Sequence, residues 1–139
     1  MFDLHVSDFY KDTARILLTL YRRFPVKSAL YVEDICGPDT PDEFGLHSPR
    51  HMACFSAMLW LAEENYLRFS QTIQQEAIDE AVLTQACFTH FSALDDATSP
   101  QRQTRVSRLS AILENKSTLT LDSYVLEQMQ TFPQKRCTK

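Results

Sequence analysis

Apolar positions recur along the chain with two different periods. Phe9, Ile16, Leu17, Leu20 and Phe24 fall on one face of a helix. Ser7 is its expected N-cap and Pro25 its stop, because proline cannot continue the hydrogen-bond ladder. Ala29-Leu30-Tyr31-Val32 is a short β-capable run, and Glu33 to Gly37 reads as one helical turn closed by glycine. Residues 38–49 hold three prolines and one glycine and form a loop. Ser48-Pro49 then starts a third helix, expected to reach about Asn65. From Tyr66 to Ile73 the period changes to two: Leu67, Phe69 and Ile73 alternate with Arg68, Ser70 and Thr72, as in a half-buried strand. Gln74-Gln75-Glu76 is a polar turn, and Ala77 to Leu83 returns as a second strand.

Beyond the hairpin the helical period resumes. Thr84 caps a helix expected to reach about Leu94, with Cys87, Phe88, Phe91 and Leu94 inward. Asp95 to Ser99 reads as a linker, and Ser99-Pro100 as a further helix start. Val106, Leu109, Ile112 and Leu113 form the next stripe; Leu121, Val125, Met129 and Phe132 form the last, which Pro133 stops. The pattern predicts a domain over residues 1–96 and a helical hairpin over 97–139, packed on the first domain or on a second copy.

Composition narrows the functions open to such a chain. Only two of 139 residues are glycine, too few for a Gly-rich phosphate loop, a dinucleotide-binding crossover or a turn-rich β-barrel. Charge is divided: residues 1–100 carry 7 basic and 15 acidic side chains, residues 101–139 carry 7 and 3. An acidic front repels nucleic acid at long range, whereas a basic end attracts it. No membrane-spanning run and no N-terminal apolar leader is visible, and the four cysteines form no C-x-x-C pair. A cytoplasmic protein with reduced, buried thiols is expected.

The order helix, strand, short helix, loop, helix, hairpin, helix, together with Val82-Leu83-Thr84 at the exit of the hairpin, resembles a winged helix-turn-helix domain over residues 7–95. Family members often carry glycine three residues after that threonine, where this chain has Cys87. The resemblance implies an α+β, mainly helical fold: a three-helix core with a two-stranded wing, extended here by a C-terminal helical hairpin. It also implies a transcription-regulator-like role on double-stranded DNA. The helix beginning at Ser48 would read the major groove through Arg50 and His51. Wing residues Arg68, Ser70, Thr72, Gln74 and Gln75 would touch the backbone or minor groove. Arg102, Arg105 and Arg108, three apart on one helical face, would add phosphate contacts.

A non-enzymatic alternative starts from the third helix itself. From Met52 to Ala62 it has one polar residue, and helices apolar nearly all round are buried on more than one side. Glu76, Asp79 and Glu80 in the wing would face phosphates. On this reading the frame is a protein-interaction or dimerisation module. Met58, Trp60 and Leu61, with Leu121, Val125, Met129 and Phe132 of the last helix, would bury against a second copy or another subunit.

Little catalytic chemistry is offered. His47, His51 and Cys54 form H-x3-H-x2-C, to which Cys36 would have to add a fourth ligand, so no metal is expected. Cys87 and His90 share a helical face but lie in an apolar stripe that raises a thiol pKa. Asp95-Asp96 and Glu63-Glu64 are adjacent and face apart. No catalytic residue and no cofactor is expected.

Overall fold

The structure, a computed structural model, describes residues 4–95, 102–115 and 118–132. Its described residues form an α+β protein with six helices and one small antiparallel sheet. Helix α1 spans Leu4–Arg23, strand β1 Ser28–Tyr31, α2 Val32–Cys36 and α3 Pro49–Glu63. Strands β2 (Leu67–Arg68), β3 (Gln71–Ile73) and β4 (Ala77–Leu83) precede α4 (Gln85–Ser92), α5 (Arg105–Glu114) and α6 (Thr118–Thr131). No helix among the described residues is long and apolar enough to cross a membrane.

Local chemistry explains most element ends. The Ser48 hydroxyl accepts the His51 N–H at 3.2 Å, and Pro49 occupies the first helical position, where a missing donor costs nothing. Helix α3 closes in a Schellman motif: Tyr66 N–H donates to the Leu61 carbonyl at 2.9 Å and Asn65 N–H to the Ala62 carbonyl at 3.2 Å. Asn65 takes the left-handed position usually given to glycine, with φ of 71°. The Thr84 hydroxyl accepts the Cys87 N–H at 3.1 Å and donates to the Asn65 carbonyl at 2.9 Å, tying the start of α4 to the end of α3.

Strand β4 is the spine of the sheet. It pairs with β1 on one side and with β2 and β3 on the other, all antiparallel, in the order β1-β4-β2. The strand expected over residues 66–73 is broken in two at Phe69-Ser70, where Ser70 N–H reaches past the ladder to the Asp79 carbonyl at 2.9 Å. Two further starts are displaced. Helix α1 begins before Ser7, whose hydroxyl donates to Asp122 at 2.6 Å instead of capping. The Ser99-Pro100 start and residues 96–99 of the linker lie outside the described residues; α5 begins at Arg105, capped by Thr104, after Thr104 pairs with Leu94 as a β-bridge.

Helix α1 runs through the middle of the molecule and is covered on several faces. Ala14, Ile16 and Leu20 are fully or almost fully buried, as are the polar Asp12 and Thr13. Thr13, Ala14 and Leu17 meet Leu109 of α5 and Val125, Gln128 and Met129 of α6 across a small cavity. Tyr66 and Phe132 stack at 4.2 Å, and His90 meets Phe132 edge-on at 5.6 Å. One cluster of buried side chains therefore extends from α1 through the sheet to α6.

His90 is a polar member of that cluster. Its Nε2 lies 2.9 Å from Gln128 Oε1, and its Nδ1 lies 3.4 Å from the Arg105 guanidinium. Burial, with the nearby Arg105 charge, lowers its pKa. A base whose pKa is depressed on folding contributes stability above its unfolded pKa, near 6.5, and loses it as pH falls below that value. We expect the fall in melting temperature between pH 7 and pH 5 to be smaller in His90→Gln than in the wild type. Parallel pH profiles would show that His90 contributes none of the acid sensitivity.

Candidate functional site

The loop between α2 and α3 is built from short-range polar bonds. Asp42 Oδ1 accepts the backbone N–H groups of Phe44 and Leu46, each at 2.9 Å. Asp42 N–H donates to the Leu46 carbonyl and Gly45 N–H to the Asp42 carbonyl, both at 2.9 Å. Gly45 has φ of 79°, a conformation that side-chain-bearing residues adopt at a cost. This turn holds two apolar side chains in solvent: Phe44 is 79% exposed and Leu46 61% exposed.

The base of the loop is clamped. Asp39 Oδ2 accepts from His47 Nδ1 at 2.9 Å and from Ser48 N–H at 3.1 Å. His47 Nε2 pairs with Glu76 Oε2 at 2.5 Å, and the His47 and His51 rings stack at 3.7 Å with an interplanar angle of 11°. His51 is buried and its Nε2 donates to the Gln75 carbonyl at 2.8 Å. The loop is thus fastened to the turn between β3 and β4. Hydrogen bonds from Ser48 and His47 hold the Asp39 carboxyl down at about 2, and the Asp39 and Glu76 carboxylates raise the His47 pKa. Asp39, His47 and His51 bring one ligand atom each within 4.8 Å of one another, which makes them the candidate metal-holding group among the described residues.

Residues expected to read DNA are distributed differently from a continuous groove-facing surface. Arg50 donates from Nη1 and Nη2 to the two oxygens of the buried Asp12 carboxylate, both at 2.7 Å, and its Nε stands 3.5 Å from Asp8. Its guanidinium faces α1. The exposed positions of α3 are Pro49, Ala53, Ser56, Trp60 and Glu63, none of them cationic. In the hairpin, Arg68, Ser70, Thr72 and Gln74 are exposed, as is Gln75, and Glu80 is exposed beside them. The arginine row of α5 does not act as one face. Arg102 precedes the helix and is exposed, Arg105 donates to the His90 carbonyl at 3.0 Å, and Arg108 pairs with Asp95 at 3.3 Å over the Tyr124 ring.

The expected interface also needs correction. Met58 and Leu61 are fully buried within the monomer, and Leu121, Val125 and Phe132 are buried against α1 and its neighbours. Met129 is partly buried against the same cluster. Trp60 alone of the seven stays open, at 38%, with Phe9 edge-on at 5.4 Å. The apolar stripes of the last helices needed a partner surface, and α1 of the same chain supplies it.

Cys54 sits in the core away from a ligand role, and burial pushes the Cys54 and Cys87 thiols up; Cys137 lies outside the described residues. The H-x3-H pair was legible in sequence, but its partners were not cysteines. Asp39 comes from the far end of the loop and Glu76 from the hairpin turn, which only the fold brings together. Phe44 and Leu46 did leave a signal, as apolar residues in an otherwise polar, proline-rich loop. No family model matches the chain, and no curated protein or solved structure matches it either.

Proposed function

We propose that this chain is a winged-helix-like module that binds another protein through the 38–48 loop, and that it does not read DNA through α3. The frame is supported by the element order and by the β1-β4-β2 sheet with its β2–β4 hairpin. The observation that carries the function is the pair Phe44 and Leu46, held out in solvent on an internally bonded turn. A turn whose backbone is already ordered loses less conformational entropy on binding, and aromatic side chains such as Phe44 carry much of the energy of interfaces. Asp42 and Glu43 border the pair, so the complementary surface is an apolar pocket rimmed by basic groups. The function is non-enzymatic on this reading.

DNA binding remains the competing reading, favoured by the exposed Arg68, Ser70, Thr72 and Gln74 of the hairpin. It lacks a cationic face on α3, and Arg50 is spent on Asp12. The two readings separate in one comparison. The full chain and its Phe44→Asp/Leu46→Asp variant are used to capture partners from the cells of origin. Both substitutions are at exposed sites, so folding should change by no more than about 0.5 kcal/mol, checked by circular dichroism. The wild type should retain a stoichiometric protein that the variant loses. Retention of duplex DNA by both chains, with no protein lost in the variant, would overturn the proposal.

A further inference from the structure

His51 presents an unusual buried atom. Its side chain is 2% exposed, and Nδ1 has no hydrogen-bond partner among the described residues. Because Nε2 faces the Gln75 carbonyl, which only accepts, the ring hydrogen sits on Nε2. In the neutral ring Nδ1 is then a bare lone pair, and it lies 4.0 Å from Asp39 Oδ2. A buried acceptor without a donor costs free energy unless something occupies it.

The surrounding atoms match what a metal ion uses. Asp39, His47 and His51 each bring one ligand atom within 4.8 Å of the others, and Asp39 Oδ2 lies 2.9 Å from His47 Nδ1 and 4.0 Å from His51 Nδ1. Ligand atoms around a tetrahedral zinc at about 2.0–2.1 Å stand roughly 3.4 Å apart, inside the range these atoms span. Metal-binding histidines characteristically donate their second ring N–H to a carbonyl or carboxylate, which fixes the ring and raises its basicity. Both partners are in place here: the Gln75 carbonyl for His51 and the Glu76 carboxylate for His47. They come from consecutive residues of one turn.

We infer that Asp39, His47 and His51 form a binding site for one divalent first-row transition ion, zinc by the nitrogen and oxygen donor set, with a fourth position open to water. Binding displaces the Nδ1 proton of His47 to solvent. Imidazole lone pairs lie in the ring plane, so the two parallel rings must splay. His47 belongs to the loop and turns, while His51 is held by α3 and the Gln75 carbonyl. Asp39 and His47 stand at the two ends of the turn that carries Phe44 and Leu46, so the ion cross-links the base of that loop. The site is independent of whether the loop binds a protein.

The test uses the untagged full chain, stripped with chelator and titrated with zinc by calorimetry and with cobalt by visible absorption. One ion per chain should bind, with cobalt bands of a four- or five-coordinate site and no thiolate-to-metal charge-transfer band. His47→Gln should weaken binding by more than about 100-fold, and Glu76→Gln, which leaves the three ligands intact, by about 10- to 100-fold. His90→Gln should bind like the wild type. Absence of binding, a thiolate charge-transfer band, or wild-type affinity in His47→Gln would overturn the inference. If His47→Gln does not fold, wild-type affinity in Glu76→Gln overturns it equally.

Discussion

Arg50→Ala is expected to destabilise the protein by about 3 kcal/mol at neutral pH, because it leaves the buried Asp12 carboxylate without its partner. Asp12 is 1% exposed on α1, and Arg50 satisfies both of its oxygens with parallel 2.7 Å bonds. Removing one member of such a pair is costly mainly through the charge left behind, not through the lost attraction. Arg50 is itself about one-third exposed, so water reaches the pair from one side and keeps the cost at the lower end of the usual range. The same substitution in an Asp12→Ala background should cost under about 1 kcal/mol, since no buried carboxylate is then stranded. Urea unfolding midpoints of the four chains measure this directly. An arginine held out for a base edge would behave otherwise. Its loss would leave stability within about 0.5 kcal/mol of wild type, and equal midpoints for wild type and Arg50→Ala would refute the internal role.

Ending the chain at residue 96 should abolish cooperative folding. The cut removes Leu109, Ile112, Leu121, Tyr124, Val125 and Phe132, all buried. It also uncovers the Ala14–Leu17 face of α1 together with Tyr66 and Phe91. At about 1.5–3 kcal/mol for each large apolar side chain, six such losses amount to roughly 10 kcal/mol. A domain of this size has about 5–15 kcal/mol in all. The cut also strands Ser7, which donates to the buried Asp122 of α6 at 2.6 Å. The shortened chain should lack a sigmoidal melting transition and the near-ultraviolet signal of Trp60, and should bind a hydrophobic dye. A cooperative transition near that of the full chain would show that the last two helices are an appendage.

Legibility followed the range of the interaction. Ser48-Pro49 and Thr84 were readable because a capping hydroxyl and the N–H it accepts lie three residues apart. The bounds of β4 were readable from its composition and the polar turn before it. Ser7 misled because its hydroxyl serves Asp122, 115 residues away, while the helix had already begun. The first helix showed one apolar face in sequence, yet the structure covers several. Asp12 and Thr13 interrupt the pattern, and nothing local reveals that Arg50, 38 residues on, makes Asp12 a buried position. The stripes of α5 and α6 left open whether they pack on the first domain or on a second copy, and α1 of the same chain covers them.

The same limit applied to the candidate site. The spacing of His47 and His51 was visible, but Asp39 and the turn at Gln75-Glu76 reach them only because the hairpin folds back beside α3. Exposure, which separates a display loop from an ordinary one, is a property of the folded chain. Phe44 and Trp60 are both aromatic in sequence; one stands free in solvent and the other leans on Phe9.

The proposed function places recognition on the loop before α3, because α3 itself is turned inward. Fluorescence anisotropy of pooled, labelled duplex DNA titrated with the full chain at low salt tests it most directly. Phosphate contacts are strongest there, so even non-specific binding, normally about 10⁻⁴–10⁻⁶ M at physiological salt, would tighten into easy reach. No saturable rise in anisotropy is expected. Saturable binding that weakens steeply with salt and is lost in Arg50→Ala, at a temperature where that variant is still folded, would contradict it.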